Sequence, residues 1–433
     1  MLNVGCSPGV LGTHRRDACA TITNRWYCRP IFRLLSRVTS LDITLAGLAW
    51  LSCLLALWQW LAARRFPLHR RVADASFAPA VTLLKPLKGR DETTADSLAS
   101  WFHQDYAGPV QILFGVADAA DPVCAIVNDL IARNPKCNAR LVVCRKMVGA
   151  NAKVAKLAEL AELAGHDLLL ISDADVRVPS DFLANIVAPL GPGSPGGAAL
   201  LRRHSDVGLV CCFYRLANPA TPAMCWEAIA INADFWSQVL QAASLKRLDF
   251  ALGAVMLTRR KWVEEIGGFA ALANCLADDY QLGHRLARRG HRIALCPVVV
   301  ECWDEPVTWR GVWQHQLRWA RTIRVCQPGP YFFSILSNAT LWPALWLAVS
   351  LIVSKTLCGP LIVLALLLAR MAMAQNLQRR FTPNHVLVSP FWMVPVKDLL
   401  QALIWLGAFA GNTVEWRGRR MKLRRDGSLV ELS

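Results

Sequence analysis

The chain has 433 residues, 54% hydrophobic and 18% charged, with 48 Lys+Arg against 31 Asp+Glu for a net charge of +17. Soluble domains usually carry about 25% charged and about 45–50% apolar residues, so these figures exclude a disordered chain and a wholly water-soluble one, and part of the chain must lie in a bilayer. The 15 Cys are odd in number and scattered without a C-x-x-C pair, which argues against a disulfide framework or a zinc site and for a reducing compartment.

In chain order, residues 1–40 are basic and irregular, without the apolar core of a secretory signal, and are expected to be a poorly ordered tail. Residues 41–63 are predicted to be a transmembrane helix. Ile43 to Ala63 contains no charge, carries Trp50, Trp58 and Trp60, and is followed at once by Arg64, Arg65, Arg70 and Arg71, which places its C-terminal end in the cytosol.

Residues 77–327 alternate short β-branched or Leu-rich runs with helical patterns, the signature of an α/β domain with a largely parallel sheet. Strands are expected at Ala80 to Leu84, Val110 to Val116, Ala139 to Cys144, Asp167 to Ser172, Val207 to Tyr214, Phe250 to Leu257 and Arg292 to Val300. Helices are expected at Ala152 to Ala164 and Asp278 to Arg289. Such sheets bind ligands at the carboxyl ends of their strands.

Residues 331–377 read as a transmembrane hairpin, because Tyr331 to Ser354 is free of charge and only Lys355 separates it from Thr356 to Ala369. Residues 386–414 are apolar but interrupted by Pro390, Pro395, Lys397 and Asp398. A full crossing there would carry Arg417, Arg419, Arg420, Lys422, Arg424 and Arg425 outside, against the positive-inside rule. A re-entrant or interfacial segment is therefore preferred to a transmembrane one, with residues 415–433 as a basic cytosolic tail on anionic lipid.

Four motifs point to chemistry. Leu168-Leu-Leu-Ile-Ser-Asp173-Ala-Asp175 is an apolar strand closed by two carboxylates one residue apart. They project to one side of an extended chain and suit a hard cation, Mg²⁺ or Mn²⁺. Asp118-Ala-Ala-Asp121-Pro122 closes a second strand, although Asp before Pro is also ordinary turn chemistry. Asp278 and Asp279 open a helix that ends in Arg285, Arg288 and Arg289; this suits the helix dipole but also supplies a general base. His315-Gln-Leu-Arg318-Trp319-Ala-Arg321 precedes the membrane hairpin, with Arg318 and Arg321 three residues apart on one helical face. It reads either as interfacial Arg and Trp or as a cationic and aromatic clamp for a diphosphate. Trp303, Trp309, Trp313 and Trp319 together suggest an aromatic belt.

In this order the pieces resemble the ceramide glucosyltransferase family of membrane-bound glycosyltransferases. Further matches are Leu83-Leu-Lys-Pro-Leu-Lys-Gly89 and Gly149-Ala-Asn-Ala-Lys153. Phe114 to Asp118, Gly149 to Val154 and Arg318 to Arg324 look closest to the bacterial glycosyltransferases of hopanoid biosynthesis. The resemblance implies a GT-A nucleotide-sugar domain and an inverting transfer of one sugar, from UDP-N-acetylglucosamine or UDP-glucose, to a lipid hydroxyl. Bacteriohopanetetrol is the expected acceptor and ceramide the alternative. It implies Asp279, Arg318 and Trp319 as catalytic residues, Asp118, Asp121, Lys153, Asp278 and His315 as donor-binding residues, and Asp173 and Asp175 as ligands of a divalent metal. His315 stands where the family has Gln or Arg. The implied partners are a UDP-sugar, a lipid acceptor and the membrane, with no nucleic acid, since the basic clusters adjoin apolar spans. The implied location is multi-pass in a membrane, the bacterial inner membrane, with the catalytic domain cytosolic. A processive polysaccharide synthase and a non-catalytic membrane-tethered binding protein are the rival readings.

Overall fold

The computed structural model describes residues 28–146, 148–191, 207–353, 358–383, 388–416, 419–424 and 427–431. Helix α1 (Cys28–Arg65) is followed by β1 (Val81–Pro86), α2 (Thr94–Ala99), β2 (Val110–Val116), α3 (Val123–Arg133), β3 (Asn138–Val143), α4 (Ala152–Leu163), β4 (Leu168–Ser172), β5 (Val176–Arg177) and α5 (Phe182–Val187). Then come β6 (Val207–Leu216), α6 (Pro222–Ile229), a π-helical turn (Ala230–Phe235), α7 (Trp236–Leu245), β7 (Val255–Arg259), α8 (Arg260–Glu265), α9 (Asp278–Arg288) and β8 (Arg292–Cys302). The helices α10 (Trp309–Cys326), α11 (Pro328–Phe333), α12 (Leu341–Val353), α13 (Cys358–Phe381) and α14 (Met393–Phe409) precede the short strands β9 (Thr413–Trp416), β10 (Arg419–Leu423) and β11 (Leu429–Glu431).

The expected α/β sheet forms with eight strands in the order β3-β2-β1-β4-β7-β6-β8-β5. Pairs β2–β3, β1–β2, β1–β4 and β6–β8 are parallel, whereas β7 runs antiparallel between β4 and β6, and β5 antiparallel on β8. Central strands β1 and β4 are buried at every position, which is why both read as continuous apolar runs rather than alternating ones. The expected strand Phe250 to Leu257 begins later, at Val255, because residues 250–254 leave the sheet to pass beneath α9. Short β5 had no sequence signal at two residues.

The membrane part differs from expectation in three places. Helix α1 begins at Cys28, so the last thirteen residues of the stretch expected to be irregular are helical; Pro30 sits in its first turn, where no N–H is needed, and nothing after it breaks the helix. Residues 1–27 of that expected tail lie outside the described residues. The first arm of the hairpin is broken: Pro328–Ser337 and Leu341–Ile352 meet at 48°. Asn338 and Asp398 explain the break. Asn338 Oδ1 accepts the Leu341 amide at 2.9 Å, its Nδ2 donates to the Asp398 carbonyl at 2.7 Å, and Thr340 Oγ1 donates to Asp398 Oδ2 at 2.7 Å. By length and composition two described helices, Ser40–Arg65 and Gly359–Phe381, can cross a membrane, or three spans if the bent pair counts as one. Third, the described residues of 413–431 form a three-stranded antiparallel sheet. Buried Val414, Met421, Leu423 and Leu429 share an apolar face against Leu276, Ala150 and Val325. The period-2 spacing of Met421 and Leu423 is the strand signal that the dense positive charge obscured.

Two features dock the helices onto the sheet domain. Phe381 at the end of α13 stacks on Trp236 at 4.9 Å and meets Phe213 of β6 edge-on at 6.2 Å, while Phe66, just beyond α1, meets Phe213 at 5.6 Å. Deeper along the helices, Arg370 of α13 pairs with Asp234 at 2.9 Å and Asp398 at 2.8 Å, and Lys397 pairs with the same two carboxylates. All four side chains are at most 7% exposed. Two positive and two negative charges balance, and removing one leaves a buried charge without compensation. Arg370→Met is accordingly expected to lower stability by about 3–5 kcal/mol, read as a fall in the thermal midpoint in detergent; an unchanged midpoint would show that the cluster does not hold the helices to the domain.

Candidate active site

The site is built along the carboxyl ends of β2, β1 and β4, which are neighbours in the sheet. At the β2 end, the Asp121 carboxylate accepts the Gly89 amide through both oxygens (3.1 and 3.0 Å) and the Val123 amide at 3.0 Å. Asp121 thus ties the loop after β1 to the start of α3. Asp118 is exposed, and its Oδ1 accepts the Ala120 amide at 2.9 Å. The two aspartates have different work: one fastens a loop and the other faces solvent.

At the β4 end, Lys85 reaches over from the next-to-last residue of β1. It is fully buried; its Nζ donates to the Asp173 carbonyl at 2.6 Å and to Ser172 Oγ at 3.1 Å, and it lies over the Trp101 ring. Burial lowers its pKa to about 7 against the opposing pull of Asp175 and Asp173. Lys85 had no assigned role in the sequence reading, although a lysine inside an otherwise apolar strand is itself a signal. Burial, then the charge of Asp173, pushes the Asp175 carboxyl up to about 7.

Asp173 Oδ1 receives Lys153 Nζ at 2.6 Å, and the same ammonium lies 3.4 Å from Asp278 Oδ2. Lys153 is positioned by its own helix start. Asn151 caps α4, accepting the amides of Lys153 and Val154 at 3.0 and 3.2 Å, while its Nδ2 donates to the Cys275 carbonyl at 2.9 Å. Gly149 precedes it at φ +70°, with the Ala273 carbonyl oxygen 2.6 Å from where a Cβ would stand, so only glycine fits this turn. Burial opposes the Lys153 charge, but Asp173 and Asp278 outweigh it and hold its pKa above the ordinary lysine range.

Asp279 starts α9 and accepts the Tyr280 amide at 2.7 Å. Burial and the adjoining Asp278 charge raise its carboxyl to about 6. Gly253 leaves room for this carboxylate, since a Cβ there would lie 2.5 Å from Asp279 Oδ2 and displace it. The same loop accepts the Asp173 amide on the Ala254 carbonyl at 3.2 Å, so Asp173 and Asp279 flank one short segment.

Helix α10 forms the facing wall. Thr308 caps it, accepting the Gly311 amide at 3.3 Å. His315 contacts the Trp319 ring at 4.7 Å, and Trp319 meets Tyr214 and Phe235 at 6.4 and 6.2 Å. Tyr214, at the end of β6, links the two walls. Burial, then Cys302 and the charges of Asp279, Glu227 and Asp175, raise its phenol well above the usual range. Sequence reading missed Tyr214 and Glu227, which lie in stretches with no motif. Arg318 is half-buried one turn beyond His315. Arg321 donates to the Thr413 carbonyl and Arg324 to Asn412 Oδ1, so both side chains reach the C-terminal segment. Of Trp303, Trp309, Trp313 and Trp319 only Trp309 is largely exposed, at 48%, and it stacks on buried Trp226.

The structure therefore gathers Asp173, Lys153, Asp278 and Asp279 in one cluster, with Asp175 beside it. It sets Asp118 and Asp121 two strands away, about 10 Å at the usual strand spacing, and places His315 and Trp319 opposite. Among the described residues no group of three or more His, Cys, Asp or Glu is arranged to hold a metal. Asp173 and Asp175 still fit a divalent cation, because Mg²⁺ commonly takes one or two carboxylates and fills its shell with water and substrate phosphates. Two crowded carboxyls, one pushed up toward neutrality, are a donor set that a cation would relieve.

The profile of the family described as glycosyl transferase family 21 matches residues 44–429. The chain belongs to that family. Among curated proteins, it is 26% identical over 268 residues to ceramide glucosyltransferase 3 of Caenorhabditis elegans, covering 60% of this chain and 53% of that one. It is also 33% identical over 128 residues to the ceramide glucosyltransferase of Candida albicans, covering 27% and 24%. The chain spans about half the length of the first of these relatives. Among solved structures, the mannosyltransferase PcManGT from Pyrobaculum calidifontis in complex with GDP-Man and Mn²⁺ matches at a TM-score of 0.50 and 20% identity, covering 86% of this chain and 99% of that one. The fold of this family 21 member is GT-A.

Lys153→Met leaves Asp173 and Asp278 facing each other without their cation. Breaking such a pair is expected to lower stability by about 3 kcal/mol, measured by thermal unfolding in detergent; a melting temperature equal to wild type would show that the lysine does not close the cluster.

Proposed function

We propose that this family 21 member is a membrane-bound inverting glycosyltransferase that moves one sugar from a UDP-sugar to the hydroxyl of a lipid held at the interface. The observation behind this reading is the single acidic and lysine cluster at the sheet's carboxyl edge, facing an aromatic helix that runs directly into the membrane segments. In this reading the donor lies along the ends of β2, β1 and β4. Asp118 meets the uridine and Asp121 holds the loop beneath it. Asp173 and Asp175 hold the metal, which when bound offsets charge on the departing diphosphate. Lys153 and Arg318 stand beside that diphosphate.

Asp279 is the base: it accepts the proton from the lipid hydroxyl as that oxygen attacks the anomeric carbon. Its environment suits the task, since a carboxyl lifted toward neutrality is a better proton acceptor than one near its usual value. Trp319 and Tyr214 form the apolar wall along which the lipid approaches. The bent α11–α12 pair and α13 bring bilayer and cleft together, so the acceptor hydroxyl need not leave the interface.

A ceramide acceptor with UDP-glucose is better supported than bacteriohopanetetrol with UDP-N-acetylglucosamine, because the similar curated proteins are named ceramide glucosyltransferases. Purified protein in lipid nanodiscs, given labelled UDP-glucose or UDP-N-acetylglucosamine with ceramide or bacteriohopanetetrol, is expected to make glucosylceramide. Transfer to bacteriohopanetetrol alone would reverse the assignment, and no transfer to any lipid would refute the enzyme reading.

Two further outcomes are expected. Chelating divalent cations should abolish transfer, with Mg²⁺ or Mn²⁺ restoring it; full turnover in chelator would remove Asp173 and Asp175 from a metal role. Asp279→Asn should reduce kcat by about 10²–10⁴-fold with donor binding retained. Because the base must be unprotonated, wild-type kcat/KM should fall as pH drops through about 6, and a flat profile from pH 5 to 8 would exclude Asp279 as the base.

A further inference from the structure

The Glu227–His315 contact is not used by the mechanism above. Glu227, on α6, is 5% exposed, and its Oε1 takes hydrogen bonds from His315 Nδ1 at 2.7 Å and from Gln316 Nε2 at 2.9 Å. An ionised carboxylate can only accept, so Nδ1 must be the protonated nitrogen. A neutral imidazole then presents Nε2 as a bare acceptor. Nε2 has no protein partner among the described residues, the side chain is 32% exposed, and the ring leans on Trp319. Asp304 lies close by, and burial, then the charge of Glu227, raises its carboxyl. Asp304 is held by Asn218 through both backbone groups, and it connects this corner to Asp175, whose own rise it adds to.

We propose that Glu227 is a positioning residue for acceptor recognition: it holds His315 so that Nε2 accepts a hydrogen bond from a donor group on the lipid headgroup, close to the reacting hydroxyl. The Trp319, Tyr214 and Phe235 rings supply apolar surface beside His315, and Nε2 is the polar contact. The acceptor class is thus a lipid bearing, besides the hydroxyl that is glycosylated, a second hydrogen-bond donor such as an amide N–H or another hydroxyl. A long-chain alcohol with one hydroxyl would lack the contact. This assigns His315 to the acceptor rather than to the donor, and gives a reason for histidine where the family has Gln or Arg: with a buried glutamate behind it, histidine offers one fixed acceptor atom.

The inference rests on the proposed lipid glycosyl transfer, and the test separates the two. Full-length protein in nanodiscs is assayed with UDP-glucose and three acceptors: ceramide, N-methylated ceramide and a long-chain alcohol. Absence of transfer by wild type to every acceptor would defeat the proposed function itself. With transfer established, His315→Phe should raise the KM for ceramide about five- to tenfold, the worth of one hydrogen bond, while leaving the KM for UDP-glucose and for the single-hydroxyl alcohol unchanged. His315→Gln keeps an acceptor oxygen and should recover most of the loss. Glu227→Gln should raise the ceramide KM in the wild-type background but add nothing to His315→Phe. N-methylated ceramide separates amide from hydroxyl: a wild-type loss on methylation equal to that of His315→Phe identifies the N–H as the donor, whereas none identifies the hydroxyl. Equal effects of His315→Phe on all acceptors, or a rise in the UDP-glucose KM, would overturn the inference. Should Glu227→Gln fail to fold, the His315→Phe and His315→Gln pair decides it.

Discussion

The arrangement depends on one ammonium group held between two carboxylates. Asp173 closes β4, Asp278 opens α9 more than a hundred residues later, and Lys153 stands between them at 2.6 and 3.4 Å. Like charges at about 4 Å repel by about 4 kcal/mol at the effective dielectric of a protein surface, so a cleft lined by Asp173, Asp175, Asp278 and Asp279 would not close unaided. Lys153 supplies the charge, and Asn151 and Gly149 supply its position. The repulsion that remains is visible in the raised carboxyls of Asp175 and Asp279. Residual strain of this kind is what a catalytic site uses, because a group displaced from its ordinary protonation is ready to take a proton or a cation.

A second constraint ties the cleft to the apolar helices. Asp234 sits in the π-helical turn between α6 and α7, where it faces Arg370 and Lys397 of the membrane-side helices. The next residue, Phe235, packs on Tyr214 and Trp319. An extra residue in a helical turn re-aims the side chains around it, and such turns recur at functional sites. Here it lets adjacent residues serve two partners, so that docking of the helices sets the aromatic wall of the cleft. The small C-terminal sheet acts from the opposite side. The Leu429 amide donates to the Asn274 carbonyl at 2.7 Å, and the Asn274 side chain accepts the Ala150 amide at 3.0 Å, which braces the loops carrying Lys153 and Asp278.

Local patterns revealed most of the catalytic domain. Strand β2 ran from Val110 to Val116 as expected, and α4 and α9 differed by one residue at their ends, because each is a short apolar or amphipathic segment with its own start signal. The carboxylate motifs were equally legible, since an aspartate closing an apolar strand is conspicuous. Lys85, Tyr214 and Glu227 were not, because each matters through neighbours distant in sequence: Lys85 meets the Asp173 loop 88 residues on, and Glu227 meets His315 88 residues on.

By itself the sequence determined the fold class, the helices long and apolar enough to cross a membrane, and the residue types available for chemistry, because hydrophobic period, strand-end carboxylates and charge-free runs are local properties. Only the tertiary structure decided which of those residues meet. It separated Asp121, spent on the Gly89 loop, from exposed Asp118, and tied Arg321 to the C-terminal strands. It folded the basic tail into a sheet, and it gave His315 a buried glutamate. The physical reason is the same each time: pairing of charges and hydrogen bonds depends on distance in space, and the sheet order and helix docking that set those distances are collective properties of the whole chain.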